Sequence, residues 1–231
     1  MSLRDMDFSK NADAAIAILV LMAGPRARRI TEGLVGNRPF VPTEKDHKSN
    51  IVINRLKYEK VIGEYDREIK KDPNNPVLWN NKGVSLVRMG AWKEAVKCYN
   101  RAVKLDPTYA NAWFNLGKVH TKLGKHRKAV SYYRKALDLN DQNISAWNNL
   151  GIALRHGGHH REAIECFDRA IEIQNDYEWG WHNKGFTLME MEVYDSALEC
   201  YDRALAINPN YTTAKKNRDE CLRRMRVAKA I

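Results

Sequence analysis

The chain has 231 residues, 44% hydrophobic and 29% charged, and its 7 prolines and 13 glycines suit neither a disordered chain nor a Pro-rich linker. Its four cysteines, Cys98, Cys166, Cys200 and Cys221, include no CxxC pair. They are spaced too widely for a zinc ribbon or a disulfide-dense secreted fold, which predicts reduced thiols in a cytoplasmic protein. A formal net charge of +11 brings anionic partners into consideration, and its distribution along the chain decides more than its sum.

The first element in chain order is the apolar run Ala14 to Ala23, AAIAILVLMA. It is about half the length that crosses a bilayer, and it follows Asp5, Asp7 and Asp13 rather than a basic segment. Neither membrane insertion nor a signal peptide is expected. Ser9 or Asn11 caps a predicted helix that Gly24-Pro25 stops, and Arg26 to Leu34 forms a second short one. Gly36 to Pro42 reads as a linker, so residues 1–41 make a helical arm and linker. Residues 42–75 support two readings. One is a degenerate helix pair; the other is a single long helix from about Ser49 to Lys71, because no glycine turn precedes Tyr58.

From residue 76 the chain repeats itself. Trp79, Trp113, Trp147 and Trp181 stand 34 residues apart, as do Gly83, Gly117, Gly151 and Gly185. Ala95, Ala129, Ala163 and Ala197 keep the same step, followed by the aromatics Tyr99, Tyr133, Phe167 and Tyr201 and by Ala102, Ala136, Ala170 and Ala204. Within one unit Trp113, Leu116, Gly117 and His120 mark one helical face. After the turn at Leu123-Gly124-Lys125, Ala129, Tyr133 and Ala136 mark another. The spacing predicts four units, 76–109, 110–143, 144–177 and 178–211, each of two antiparallel helices. A mid-helix glycine lowers helix propensity by roughly 1 kcal/mol, so close helix approach is its expected compensation. Residues 212–231 keep helical spacing without the tryptophan and glycine, as a capping helix would.

The pattern W–x2–LG, A–x3–F/Y–x2–A with a terminal Pro107 or Pro209 resembles the tetratricopeptide repeat family, in wording most like archaeal and bacterial members. The resemblance implies an all-α fold, a right-handed superhelical solenoid of helix pairs with a concave groove lined by first helices. It also implies a non-enzymatic scaffold or adaptor for protein–protein interaction. Trp79, Gly83, Trp113, Gly117, Trp147, Gly151, Trp181 and Gly185 are then framework. Asn81, Asn115, Asn149 and Asn183, two residues after each tryptophan, are implied to face the groove, where an amide can hold an extended peptide backbone. A carboxylate clamp is not implied, because Asn80, Phe114, Asn148 and His182 occupy the place of the clamp lysine.

With the framework set aside, no catalytic motif remains, and no cofactor is expected. His156, His159 and His160 span a turn beside Arg155 and Arg161 and read as a polar surface rather than a metal site. Charge divides along the array, from +4 and +5 in the first two units to −2 and −4 in the next two, with +5 in the tail. Arg88, Lys118, Lys122 and Arg155 fall towards the groove, which is expected to take an extended or helical segment of another protein, and would attract an acidic one. Trp179, His182, Phe186 and Met189 recur at i, i+3, i+7 and i+10, predicting an aromatic hot spot. Two further partners follow from the residues. Ala14 to Ala23 either packs in cis or joins two copies, and the basic surfaces admit RNA or single-stranded nucleic acid as the alternative class.

Overall fold

The computed structural model describes residues 44–229, with side chains from residue 57 onward. The arm and linker expected over 1–41, including Ala14 to Ala23, lie outside the described residues. The chain divides after Lys60, and its second unit, Val61–Ile231, holds the architecture below.

Ten helices and no strand occur among the described residues. One uninterrupted helix, α1, occupies Glu44–Lys71, and Lys70 and Lys71 complement the dipole of its last turn before Pro73. Four pairs follow: α2 (Pro76–Arg88) with α3 (Trp92–Leu105), α4 (Ala110–Lys122) with α5 (His126–Leu139), α6 (Ile144–His156) with α7 (His160–Ile173), and α8 (Glu178–Glu190) with α9 (Tyr194–Ile207). Helix α10 (Thr212–Lys229) closes the array. Asn75 and Asn143 cap α2 and α6 by accepting from the N–H groups of Val77 and Ala146.

The periodic residues explain why each pair closes. Tyr99, Tyr133, Phe167 and Tyr201 are each no more than 2% exposed, and each buried ring contributes roughly 2–3 kcal/mol. They fit because the first helix carries no Cβ opposite them: one added at Gly117 would lie 2.5 Å from Tyr133, and one at Gly151 would lie 2.6 Å from Phe167. Each framework tryptophan holds the entry to its unit. The indole N–H of Trp79, Trp113, Trp147 and Trp181 donates to the carbonyl of Pro73, Pro107, Asp141 and Asn175, at 3.0, 2.8, 2.7 and 3.0 Å.

Successive first helices touch (α2 with α4, α4 with α6, α6 with α8, α8 with α10), whereas successive second helices make no comparable contact. In a curved stack the crowded side is the inner one, so the first helices line the concave face. The solenoid of helix pairs is therefore built as the 34-residue spacing predicts. No described helix is long and apolar enough to cross a membrane.

Candidate functional site

The concave face is composed of the outward positions of α2, α4, α6 and α8, plus the near side of α10. Their backbone placement follows from the framework, so each unit presents the same positions with different side chains.

The asparagines behave differently from an array of free amides. Nδ2 of Asn115 donates to Oδ1 of Asn80 at 2.9 Å, and Nδ2 of Asn183 donates to Oδ1 of Asn148 at 2.8 Å. Asn217 lies one further period along, in α10, and its amide donates at 3.0 Å to Nε2 of His182. Each bond ties a unit to the residue after the tryptophan of the unit before. Where that residue is Phe114, no acceptor exists, and Asn149 turns to the backbone carbonyl of Ser145 at 2.7 Å. Asn81 receives the amide of Asn80 at 3.1 Å. The ladder thus runs between repeats. The side-chain carbonyls of Asn115 and Asn149 receive no donor among the described residues.

The aromatic set divides. Trp179 is 51% exposed and leans on Tyr211 with ring centroids 5.0 Å apart. Phe186 is half-buried on the same face. Met189, expected beside them, is buried instead, within 3.9 Å of the Tyr201 hydroxyl. Its reason is geometric: at about 100° per residue the position ten beyond Trp179 is rotated by roughly 80°, into the α8–α9 interface. His182 is turned inwards by roughly 60° and is also buried, among Tyr201, Tyr211 and Phe186. Burial lowers its pKa first, the Asn183 side chain opposes this, and the nearby Arg155 acts with burial. It accepts from Asn217 rather than meeting a ligand.

Arg155 also departs from expectation. Its side chain is 13% exposed and its guanidinium lies 4.4 Å from the centre of the Phe186 ring and 3.9 Å from Glu190. Burial lowers its pKa, and its Nε has no partner. It braces Phe186 and is no free cation. Arg88, Lys118 and Lys122 are exposed and form no ion pair among the described residues, with Lys118 lying over Phe114 at 5.4 Å.

The concave face therefore runs from these cations to an apolar step of Ile152, Phe186 and Trp179. Val77 and Val84, 45% and 37% exposed, extend it at the other end. Sequence reasoning passed over these valines and Asn217; the signal for all three was their place on the 34-residue ruler.

His126 stacks on His156 at 4.9 Å, His159 and His160 face Glu162 and Glu190, and no group of three or more potential ligands converges among the described residues. The four thiols are buried, and burial pushes Cys166 up to about 12 and Cys200 up to about 11, away from nucleophilic chemistry.

Known proteins agree with this architecture. No curated protein matches the chain by sequence. Among solved structures, "Crystal structure of MamA" superposes with a TM-score of 0.64 at 22% identity, covering 75% of this chain and 99% of that one. "Crystal structure of YrrB: a TPR protein with an unusual peptide-binding site" gives 0.64 at 24% identity, covering 74% and 88%. "MamA 41-end from Desulfovibrio magneticus RS-1" gives 0.63 at 18%, covering 74% and 99%. At these identities the likeness is one of fold. Residues 85–124 match the family described as TPR repeat, and residues 110–143, 144–177 and 179–211 match that described as Tetratricopeptide repeat. With its indole hooks, glycine-seated aromatics and crowded first helices, this chain belongs to the tetratricopeptide repeat family.

Proposed function

We propose that the chain is a non-enzymatic scaffold of the cytoplasm that holds an extended, acidic segment of another protein along the concave face of its first helices. One observation carries the reading: three unpaired cations, Arg88, Lys118 and Lys122, share that face with an apolar step of exposed Trp179 and half-buried Phe186. The cations would draw in carboxylates, whereas Phe186, already braced by Arg155, would seat an aromatic or aliphatic side chain with little reordering. The carbonyls of Asn115 and Asn149 can accept from a bound backbone. YrrB, a TPR protein with an unusual peptide-binding site, is consistent with this use of the fold. The six-part division of residues 42–231, and self-association through Ala14 to Ala23, belong to the same proposal.

Selection from a random-peptide display library against the full chain tests it. Acidic segments carrying an apolar anchor should be enriched. The pair Trp179→Ala with Phe186→Ala should lose the anchor preference, and Lys118→Glu with Lys122→Glu should lose the acidic one. Identical peptide sets from folded wild type and both variants would remove the concave face from consideration.

A further inference from the structure

Each junction between units brings together three residues spaced by 16: one in the second helix before it, one in the first helix after it, and one in the second helix after that. They are Asp66, Lys82 and Cys98, then Asn100, Leu116 and Tyr132, then Arg134, Leu150 and Cys166, then Asp168, Lys184 and Cys200. A final partial set is Asp202 and Arg218. In the first, fourth and last sets a long cation fills the junction by reaching a carboxylate: Lys82 to Asp66 at 2.5 Å, Lys184 to Asp168 at 2.6 Å, Arg218 to Asp202 at 2.5 Å. The second set has no ion pair. There the ring of Tyr132 occupies the space, 5.9 Å from Trp113 and 5.1 Å from His120.

The third set has neither filler. Leu150 ends where a lysine would reach across, Cys166 is small where Tyr132 is large, and Arg134 turns aside to Glu162 on α7 at 2.8 Å. A cavity of about 620 Å³ remains between α5 and α7, floored by Leu137, Trp147, Leu150 and Leu154. That is within the range of natural binding clefts. Five carboxylates and two guanidiniums line it. Three of those carboxylates have cationic partners (Glu162 with Arg134, Asp168 with Lys184, Glu172 with Arg169), while Asp138 and Glu165 are exposed and in no ion pair.

Such a cavity takes an aliphatic side chain flanked by positive charge, and the chain carries one. Val227 in α10 is 53% exposed, more than any other large apolar residue described, and shares its helix face with the exposed Arg223 and Arg224, one turn back in the +5 tail. In its own copy α10 is packed on α9, beyond the fourth unit, so the two surfaces meet only between molecules. We infer that the α5–α7 cavity receives the end of α10 from a second copy, Val227 on the leucine floor with Arg223 and Arg224 facing Asp138 and Glu165. The pairing of Arg223 and Arg224 with Glu220 is solvated and yields readily. Because cavity and tail are different surfaces, the contact is head-to-tail and propagates as an open chain or closes as a ring.

Sedimentation equilibrium on the full chain tests this. The apparent mass should rise with concentration above that of one chain and fall as salt is added. Cys166→Tyr, which gives the third set the filler of the second, should weaken assembly about tenfold or more. Asp138→Lys with Glu165→Lys, at exposed unpaired sites, should do the same without loss of helix or melting temperature. So should Arg223→Glu with Arg224→Glu, and mixing these two charge-reversed chains should restore a 1:1 complex. A wild type that stays at the mass of one chain overturns the inference. So does assembly that ignores all three variants, including assembly lost only on removing residues 1–43.

Discussion

Asn183 donates through Nδ2 to Oδ1 of Asn148 at 2.8 Å, across the boundary between the third and fourth units. Asn148 is 7% exposed, so its removal leaves the donor facing a site that water reaches poorly. Asn148→Ala should lower stability by about 1–2 kcal/mol, read from the denaturant midpoint at constant slope. Asn149→Ala removes only a bond to its own helix backbone and should fall within about 0.5 kcal/mol of wild type. Equal losses from the two would mean that the inter-unit bond contributes nothing of its own.

The mid-helix glycines should respond in opposite directions according to what lies opposite them. At Gly117 an added Cβ meets the Tyr133 ring at 2.5 Å, and that ring is fully buried. Gly117→Ala should lower stability by about 1–3 kcal/mol through overpacking, despite the better propensity of alanine. Gly63, inside α1, has nothing within 4 Å of the same position. Gly63→Ala should therefore raise stability by roughly 0.5–1 kcal/mol. Thermal melts of the two single variants decide the matter.

These contrasts show what the sequence could and could not disclose. The indole hooks, the glycine–aromatic seats and the helix pairs all recur at one interval, so a period found in the sequence located them without coordinates. Bonds at other intervals were invisible to that ruler. Asn183 meets Asn148 across 35 residues, Arg155 meets Glu190 across another 35, and each reads in isolation as a free polar group on a groove. Met189 failed for a related reason: spacing of i+10 follows the helix but drifts round it, and about 80° was enough to exchange groove for core. Residues 42–75 left two readings open because no side chain in them demands a turn, and α1 passes through as one helix.

The turn between helices carries a further departure. Gly90, Gly124 and Gly158 close the first three units at φ of +79°, +70° and +82°, but the fourth has Glu192 at +63°. A side chain in this left-handed region is disfavoured by roughly 1–2 kcal/mol, part of which glycine returns by its freer unfolded state. Glu192→Gly should raise stability by about 0.5–1 kcal/mol, seen as a higher melting temperature with unchanged helicity. Gly124→Glu should reverse the sign. A loss of stability in Glu192→Gly would mean that the glutamate has a compensating role its geometry does not reveal.

Acid should weaken this fold through its histidines. His120 occupies the position that Leu86, Leu154 and Leu188 hold in the other units; it is 6% exposed with Nδ1 unpartnered. Burial depresses its pKa first, and the cations of Lys128 and Lys125 depress it further. His156 and His182 are shifted the same way, again chiefly by burial. A histidine whose folded pKa lies below its unfolded value binds protons more readily in the unfolded chain, so stability rises with pH between the two values. As pH falls below about 6.5, the unfolded histidine value, stability should decline until the folded pKa is passed. His120→Leu removes one titrating group and an unpaired buried nitrogen together. It should raise stability by about 1–2 kcal/mol at neutral pH and flatten the slope between neutral and mildly acidic conditions. Urea midpoints at a series of pH values measure both, and a slope unchanged by His120→Leu would assign the acid sensitivity to His156 and His182 alone.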